Sequence, residues 1–305
     1  MYIVNLLDTI KSLADPVRLR IAAVLLDGEL SVNKLVELTG MGQSRISRHL
    51  KILTDSGVLQ CRRDGLWAFY SAAAAGEGQS FISSISSFLA DDSFKEDREK
   101  AVSIRRARAE KSSRFFDKIS GEWSSLKRLA IGDIDLDGEI VRRLEGYAVA
   151  ADLGCGSGEL AKSIALRDHR VIGVDSSAKM LDAAKRLFEA EGIMSDFRMG
   201  QLEHLPMRDG EADAGVVAMA LHHLPEPSSA LAELFRVIRS GGIAVIADYD
   251  AHEREQMREK HHDLWLGFSK KELSRMITAA GFSVAESETL RGGELGVHII
   301  TANKP

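Results

Sequence analysis

The sequence is poor in cysteine and has no long apolar run. Its 305 residues include only Cys61 and Cys155, so we expect no disulfide framework and a reducing compartment, the cytoplasm. No stretch approaches the roughly 20 apolar residues of a membrane helix, so no membrane partner is expected. The first residues, MYIVNLLDTIKSL, contain no basic region and no small-residue cleavage site, which argues against a secretory signal.

The chain also has no large excess of charge of one sign. Its net charge is −5. The first 90 residues contain nine Lys or Arg against eight Asp or Glu, and the remainder contains 31 against 37. The N-terminal part is therefore the better partner for a polyanion. The length predicts two domains, since single domains commonly run to about 100–200 residues.

A glycine-rich turn in the second half lacks the features of a phosphate-binding loop. A short apolar run, Ala148–Leu153, predicts a buried strand, and Gly154, Gly156 and Gly158 follow it before a helix. This G-x-G-x-G spacing is not the G-x-G-x-x-G of a dinucleotide fold, and no Gly-Lys-Ser/Thr is present. Asp152, two positions before the first glycine, favours a cationic ligand. The turn therefore predicts a ligand that approaches the backbone closely and does not bind there through a phosphate group of its own.

Strands and helices alternate after this turn. Asp175 ends the second predicted strand, where a carboxylate can accept both hydroxyls of a ribose. The pattern is typical of a doubly wound, mostly parallel sheet whose ligand lies at the carboxyl ends of the first strands. The further strands are predicted at Arg170–Val174, Asp196–Met199, Asp213–Met219, Ile243–Ala247, Phe282–Leu290 and Val297–Ala302.

The motifs of this half resemble those of the class I S-adenosylmethionine-dependent methyltransferases. They are DLGCGSGEL, VIGVDSS, GQLEHLP, ALHHLPEP and LFRVIRSGG, in family order over residues 114–303. The resemblance implies a seven-stranded Rossmann-like domain whose last strand is antiparallel. It also implies that the pair Gly241-Gly242 is a turn and not a site. The cofactor would be S-adenosylmethionine (SAM) or its demethylated product, S-adenosylhomocysteine (SAH).

The same resemblance assigns the cofactor-binding residues. It implies that Asp152 and the turn Gly154–Gly158 hold the methionine part and that Asp175, with Ser176 beside it, takes the ribose hydroxyls. Gln201 and Leu202 would border the adenine. The family often has an acid where this chain has Gln201, but an amide can also pair with the adenine edge.

No catalytic residue is assigned by the sequence. Polar side chains at the ends of the fourth and fifth strands are candidates for a base: His222, His223, Asp248 and Tyr249. The segment Asp250–Phe268 adds further candidates, namely His252, His261, His262 and Trp265. None of these spacings matches a metal-ligand set, so we expect no metal.

The N-terminal residues predict a winged helix-turn-helix. Asp15-Pro16 begins a helix, a second runs over Ser31–Leu38, and a third over Gln43–Asp55 follows the turn at Gly40. Strands around Asp64-Gly65 predict a hairpin. The third helix would face DNA with Gln43, Ser44, Arg45, Ser47, Arg48 and Lys51, while Ile46, Leu50 and Leu53 point inward. Alternatively, this is a small helical domain with a solvated charged face.

Residues 6–72 resemble the ArsR/SmtB regulators. The resemblance rests on LADPVRLRIAAVLLDGELSVNKLVELTGMGQSRISRHLKILTDSGVLQCRRDGLWAFYS. It implies a homodimer on a short inverted repeat of double-stranded DNA, with Gln43–Asp55 as the recognition helix. Independently of the resemblance, Arg62 and Arg63 on the predicted hairpin would touch the flanking DNA backbone. Metal sensors of the family place thiols where this chain has Ser31 and Asn33, so a thiolate metal site is not expected.

We therefore divide the chain into a winged helix-turn-helix over 1–75, a connecting segment over 76–112 and a methyltransferase-like domain over 113–305. Within the connecting segment, Phe81–Leu89 has the spacing of a dimerisation helix, and Asp91–Lys111 is expected to be a solvated helical linker.

Two functions follow. The first is a transcription regulator whose second domain binds SAM or SAH as a signal of the methylation cycle. The second is an active methyltransferase, acting on a small-molecule acceptor, with an attached DNA-binding domain. Methylation of DNA or RNA is the weaker alternative, because no Asn-Pro-Pro-Tyr motif stands where this chain reads ALHHLPEP.

Overall fold

A computed structural model describes residues 2–64, 67–74, 76–119, 130–261 and 263–305. The chain divides into two compact units, Met1–Ala109 and Glu110–Pro305. None of the described helices is both long and apolar enough to cross a membrane.

The first unit is a set of helices with a small antiparallel sheet. Its strands β1 (Leu30–Ser31), β2 (Leu59–Asp64) and β3 (Trp67–Ala72) lie in the order β1-β3-β2. The turn residues 65 and 66 of the predicted hairpin lie outside the described residues. The helices are α1 (Tyr2–Leu13), α2 (Pro16–Leu25), α3 (Val32–Thr39), α4 (Gln43–Asp55), α5 (Gly76–Ser84), α6 (Ser86–Leu89) and the first part of α7 (Lys95–Ile119).

Local sequence signals set the start and end of these helices. The Asp15 side chain accepts hydrogen bonds from the amides of Val17 and Arg18, at 2.9 and 3.1 Å, and so caps α2 as predicted. Gly40, at φ 67°, ends α3 in the left-handed conformation. The short turn that follows leads directly into α4, so the helix-turn-helix arrangement is present.

The segment after the hairpin packs into the first unit instead of standing free as a linker. Ala101 of α7 is fully buried in its core. The guanidinium of Arg20 donates to both carboxylate oxygens of the buried Asp97, at 2.6 and 2.8 Å. The expectation of a solvated linker is therefore corrected for the start of α7, because this ion pair and Ala101 join it to α2. Phe81–Leu89, predicted as one helix, is split between α5 and α6.

The second unit contains the predicted seven-stranded sheet, in the order β6-β5-β4-β7-β8-β10-β9. Strands β4 to β8 run parallel, and β10 is antiparallel to both of its neighbours. The strands are β4 (Val149–Leu153), β5 (Arg170–Asp175), β6 (Asp196–Met199), β7 (Ala212–Ala218), β8 (Ile238–Tyr249), β9 (Ser283–Leu290) and β10 (Val297–Asn303). The helices are α8 (Leu136–Arg143), α9 (Glu159–Ala165), α10 (Ala178–Glu191), α11 (Pro227–Val237), α12 (Gln256–Lys260) and α13 (Lys270–Ala279).

Two apolar clusters cover the two faces of this sheet, as a doubly wound fold requires. The prediction of a free turn at Gly241-Gly242 is corrected, because both residues lie within β8. Gly241 donates its amide to the carbonyl of Lys304, and Lys304 donates to the carbonyl of Gly242. The backbone beyond β10 thus pairs with the glycines and extends the strand. Gly241 still has φ 74°, which explains the choice of glycine.

Candidate cofactor site and nucleic-acid face

Helix α4 of the first unit exposes the face that the sequence predicts for DNA. Ile46, Leu50 and Leu53 are fully buried and fix the inner side of α4. Gly42 occupies the position before the helix and offers no side chain to cap it. The first backbone N–H groups of α4 are therefore suited to a phosphate. Exposed side chains cover the outer face: Gln43, Ser44, Arg45, Ser47, Arg48 and Lys51.

The two hairpin arginines differ in their surroundings. Arg63 is exposed, as expected of a residue that reaches the DNA backbone. Arg62 is instead directed at Glu29, with nitrogen-to-oxygen distances of 2.8 and 3.2 Å, and its guanidinium lies 4.5 Å from the centre of the Phe69 ring. The DNA contact of Arg62 therefore stays a prediction. The bidentate pair and ring contact hold the hairpin onto the unit.

We expect Arg62→Ala to lower the free energy of unfolding of the first unit by about 2 kcal/mol, the scale of hydrogen bonds to a charged group. Urea titration followed by circular dichroism measures this change. The exposed neighbour supplies the control: Arg63→Ala should leave stability within about 0.5 kcal/mol and weaken DNA binding instead. Equal loss of stability in both variants would contradict the assignment.

The backbone of the glycine turn in the second unit lies close to neighbouring side chains. Gly154, Gly156 and Gly158 all have positive φ, at 81°, 52° and 85°. A Cβ on Gly154 would lie 2.9 Å from the Cβ of Ala220, and one on Gly158 would lie 2.8 Å from the Cβ of Ala184. Both the backbone conformation and the space therefore require glycine at these two positions.

Asp175 organises the turn from the neighbouring strand. One of its carboxylate oxygens accepts the amide of Gly156 at 2.9 Å, and the other accepts the amide of Ser177 at 2.8 Å. Burial raises the pKa of Asp175, although these backbone hydrogen bonds act to lower it. Each carboxylate oxygen has a second lone pair. Asp175 is therefore bound to the turn and still able to accept two hydroxyl groups.

The other predicted cofactor residues lie around this turn. Asp152 is buried near the end of β4, which runs parallel to β5. Leu202 is buried, and its Cδ1 lies 3.5 Å from where a Cβ on Gly154 would stand. Ser176 and Gln201 are exposed.

Asp117 is a residue of this region that the sequence analysis did not find. The Ser177 hydroxyl donates to its carboxylate at 2.6 Å and also accepts the amide of Met180 at the start of α10. Asp117 lies far from the glycine motif in sequence, within the charged helix α7. No local motif marks it.

The predicted catalytic candidates form a buried cluster. The His222 ring donates from Nδ1 to Asp248 at 2.6 Å, and the amide of Tyr249 donates to the same carboxylate oxygen at 2.8 Å. The ring centres of His222 and Tyr249 are 4.7 Å apart. His222, His223 and Tyr249 are 1%, 6% and 4% exposed. The structure thus brings all three together, but encloses them.

Burial and two nearby carboxylates together set the electrostatics of this cluster. Burial acts to lower the pKa of His222, yet the carboxylates of Asp248 and Asp263 act in the opposite direction, and the net direction is upward. The pKa of the Tyr249 hydroxyl is raised, first by burial and then by the same two carboxylates. Tyr249 therefore stays protonated at neutral pH and can donate a hydrogen bond.

Asp263 joins the cluster from the segment after α12, and the sequence analysis did not single it out. Its Oδ1 lies 3.6 Å from Nδ1 of His223 and 3.9 Å from Nε2 of His222. Burial raises the pKa of Asp263 to about 6. The sequence spacing predicted no metal, but the fold brings two imidazoles and this carboxylate to within 4.8 Å of one another.

Of the histidines of that segment that the structure describes, neither His252 nor His261 belongs to this cluster of potential ligands. The Nδ1 of His252 accepts the amide of Arg254 at 3.2 Å, and its ring centre is 5.9 Å from that of Tyr249. His262 lies outside the described residues.

Comparison with known families finds one family match in each unit. Residues 15–60 match the family model described as bacterial regulatory protein, arsR family, and residues 151–246 match that of a methyltransferase domain. The chain thus combines an ArsR-family helix-turn-helix with a methyltransferase domain. Its cofactor class is that predicted from the sequence, S-adenosylmethionine.

Curated relatives match part of the chain. A 37.1 kDa protein of transposon TN4556 from Streptomyces fradiae is 32% identical over 197 residues, which cover 57% of this chain and 56% of that protein. The tRNA 5-carboxymethoxyuridine methyltransferase of Escherichia coli K12 is 33% identical over 147 residues, which cover 46% and 55%. Matches to such relatives span about a third to three fifths of the relatives' own length.

Solved structures share the fold of the second unit. The [4+2]-cyclase SpnF superposes with a TM-score of 0.54 at 20% identity, over 63% of this chain and 94% of the cyclase. A putative methyltransferase from Haloferax volcanii, solved with its activator Trm112, gives a TM-score of 0.52 at 20% identity, over 62% and 96%. At these identities the likeness concerns the fold alone.

Proposed function

We propose that this protein is a DNA-binding transcription regulator whose methyltransferase domain binds SAM or SAH as a signal of the methylation cycle. The observation that carries the proposal is the combination of two sites in one chain. Helix α4 exposes Arg45 and Arg48 on its outer face, and the second unit keeps a glycine turn bonded to Asp175. Each site presents residue types that suit its proposed ligand.

The second unit fits the cofactor by the chemistry of its donors and by the shape of its glycine turn. The missing Cβ atoms of Gly154 and Gly158 let Ala220 and Ala184 pack against the turn, which fixes its positive-φ backbone beside the carboxylate of Asp175. Asp175 would accept the ribose hydroxyls on its remaining lone pairs, with Ser176 beside it. Asp152 would face the methionine part, and Gln201 and Leu202 would border the adenine. When bound, SAM supplies an activated methyl group.

The buried cluster supports sensing over turnover. His222, the best-placed base, has its Nδ1 bonded to Asp248 and is almost fully enclosed. Curated relatives act on different acceptors: the Escherichia coli enzyme is a tRNA methyltransferase, and another relative, from Yersinia pestis, is a malonyl-[acyl-carrier protein] O-methyltransferase. They therefore support a shared cofactor without supporting any one acceptor.

We further propose that the regulator is a cytoplasmic homodimer on an inverted repeat. Helix α1 exposes Leu6, Leu7 and Ile10 by about half of their surface each, and Phe88 after the hairpin is 74% exposed. Apolar side chains so exposed on a small unit favour burial against a second copy.

Fluorescence anisotropy of full-length protein on a labelled DNA duplex tests the proposal. The duplex carries the site that this protein selects from a random library. A signal must bind the DNA-competent state and the released state unequally, because equal affinity for both shifts nothing. We expect SAH or SAM to change operator affinity by about tenfold, a coupling of about 1.4 kcal/mol.

Identical binding curves without ligand, with SAM and with SAH would remove the sensing role. Selection of no preferred site would remove the regulator as a whole. Steady consumption of SAM with a metabolite extract, together with identical curves, would establish the methyltransferase alternative.

A further inference from the structure

We propose that His222, His223 and Asp263 bind a divalent transition-metal ion of the zinc type beside the glycine turn. The three side chains are buried, at 1%, 6% and 3% exposure, and one ligand atom from each lies within 4.8 Å of the others. No part of the proposed regulatory function requires this ion, so the two proposals stand separately.

The distances suit a small metal ion. A tetrahedral site with bonds of about 2.1 Å places its ligand atoms about 3.4 Å apart. The Oδ1 of Asp263 is 3.6 Å from one imidazole nitrogen and 3.9 Å from the other. Closing onto an ion therefore needs only small movements of the three side chains.

His222 has the outer partner that metal-binding histidines characteristically have. Its Nδ1 donates to Asp248 at 2.6 Å, so Nε2 is the ring nitrogen that faces Asp263. A carboxylate on the far nitrogen fixes the tautomer and makes the near nitrogen a better ligand. Asp248 in turn accepts the amides of Tyr249 and His222, at 2.8 and 3.3 Å, which holds it in place.

The carboxylate of Asp263 is held in position but lacks hydrogen-bond donors. The amides of Leu264 and Trp265 both donate to the carbonyl of His222, at 2.8 and 3.0 Å, which anchors the chain beside Asp263. Within the described residues, neither buried carboxylate oxygen of Asp263 accepts a hydrogen bond. A buried carboxylate without donors is costly unless a cation balances it.

The charges and donor types identify the class of ion. Two carboxylates, Asp248 and Asp263, flank His222 in an enclosed site, so a divalent cation balances their charge. Two imidazoles and one oxygen suit zinc and its neighbours in the transition series, whereas magnesium and calcium prefer oxygen alone. Three protein ligands leave a coordination position for a water or another small ligand.

The cluster also lies next to the cofactor turn. Ala220, which precedes the 3-10 turn Leu221–His223, is the residue whose Cβ approaches Gly154. Met219 before it has φ 55°, a left-handed conformation that a side-chain-bearing residue seldom adopts. This reversal of the chain direction after β7 places Ala220 against the glycine turn, and the two histidines follow Ala220 in sequence. An occupied metal site would therefore stabilise one wall of the cofactor turn.

Zinc binding to the tag-free, full-length protein tests the site. Protein stripped with a chelator is titrated with Zn²⁺ by calorimetry, and X-ray absorption of the zinc-loaded protein identifies the ligands. We expect one Zn²⁺ per chain with two imidazoles and oxygen ligands, and no competition from a hundredfold excess of Mg²⁺. Asp263→Asn and His223→Gln should each lower zinc affinity by at least tenfold, and Asp248→Asn by about 10–100-fold.

His298→Gln supplies a matched control, because His298 is also buried and paired with a carboxylate, Asp250 at 3.0 Å, but forms no such cluster with any residue that the structure describes. It should bind Zn²⁺ as the parent does. Circular dichroism checks that each variant is folded. If a variant does not fold, the X-ray absorption spectrum of the zinc-loaded parent protein still tests the ligand set. The proposal is overturned if the protein binds no zinc or if the spectrum lacks two imidazole ligands. It is also overturned if folded Asp263→Asn and His223→Gln bind zinc as tightly as the parent.

Discussion

An Asp175→Ala variant should lose about a hundredfold or more of its affinity for SAH. Asp175 would accept two ribose hydroxyls, and hydrogen bonds to a charged group contribute about 1.5–3 kcal/mol each. The loss of both amounts to at least about 3 kcal/mol, or roughly two orders of magnitude. The variant also frees the amide of Gly156, which loosens the glycine turn. Isothermal titration calorimetry of the full chain measures the change.

Conservative and matched variants separate binding from folding. Asp175→Asn keeps one acceptor oxygen and should lose less than the alanine variant. Asp196→Ala removes a carboxylate from the start of the adjacent strand β6, where it pairs with Arg198 at 2.9 Å, and should bind SAH normally. Because burial raises the pKa of Asp175, replacing its charge should not unfold the unit. Undiminished affinity in folded Asp175→Ala would contradict the placement of the cofactor.

The double variant Arg45→Ala/Arg48→Ala should weaken operator binding by about a hundredfold or more. Both side chains lie on the exposed face of α4, and a good contact from arginine to a base contributes about 1–3 kcal/mol. Removing two such contacts costs at least about 2 kcal/mol, or roughly thirtyfold in affinity, and the loss of two phosphate-attracting charges brings the total to about a hundredfold at low salt. Anisotropy on the selected duplex, at a stated salt concentration, measures the affinity.

Lys34→Ala is the matched control for this variant. Lys34 is an exposed cation on α3, paired with Glu37 at 2.7 Å, and lies outside the predicted recognition helix. It should retain DNA affinity within about threefold. SAH affinity should be unchanged in both variants, since the arginines belong to the first unit. Operator binding that survives the double substitution would place the DNA contact elsewhere.

Much of the fold followed from local pattern. The apolar runs predict the strands of the second unit to within a few residues, because parallel strands covered on both faces carry continuous apolar side chains. Asp15 and Gly40 act as the cap and the stop that their chemistry predicts. The glycine turn and Asp175 could be identified because a strand, a turn and a carboxylate follow each other within a short stretch of chain.

The corrected and missed features depend on contacts between residues distant in sequence. Arg62 pairs with Glu29 across 33 positions, and Arg20 pairs with Asp97 across 77. Asp263 reaches His222 only because the segment after α12 folds back onto the carbonyl of that histidine. No periodicity or spacing carries such information, so the cluster of His222, His223 and Asp263 and the packing of α7 could be seen only in three dimensions.

The position of β10 sets an order of events during synthesis. This strand lies between β8 and β9, yet the ribosome makes it after every other strand of the sheet. The second unit therefore cannot close its sheet until β10 has been released, whereas the first unit is complete in sequence long before. A nascent chain therefore passes through a stage in which the first unit is already synthesised in full. At that stage the sheet of the second unit is still open, because β10 does not yet connect β8 and β9. Truncation before β10 would accordingly yield an aggregation-prone protein and not a smaller folded one.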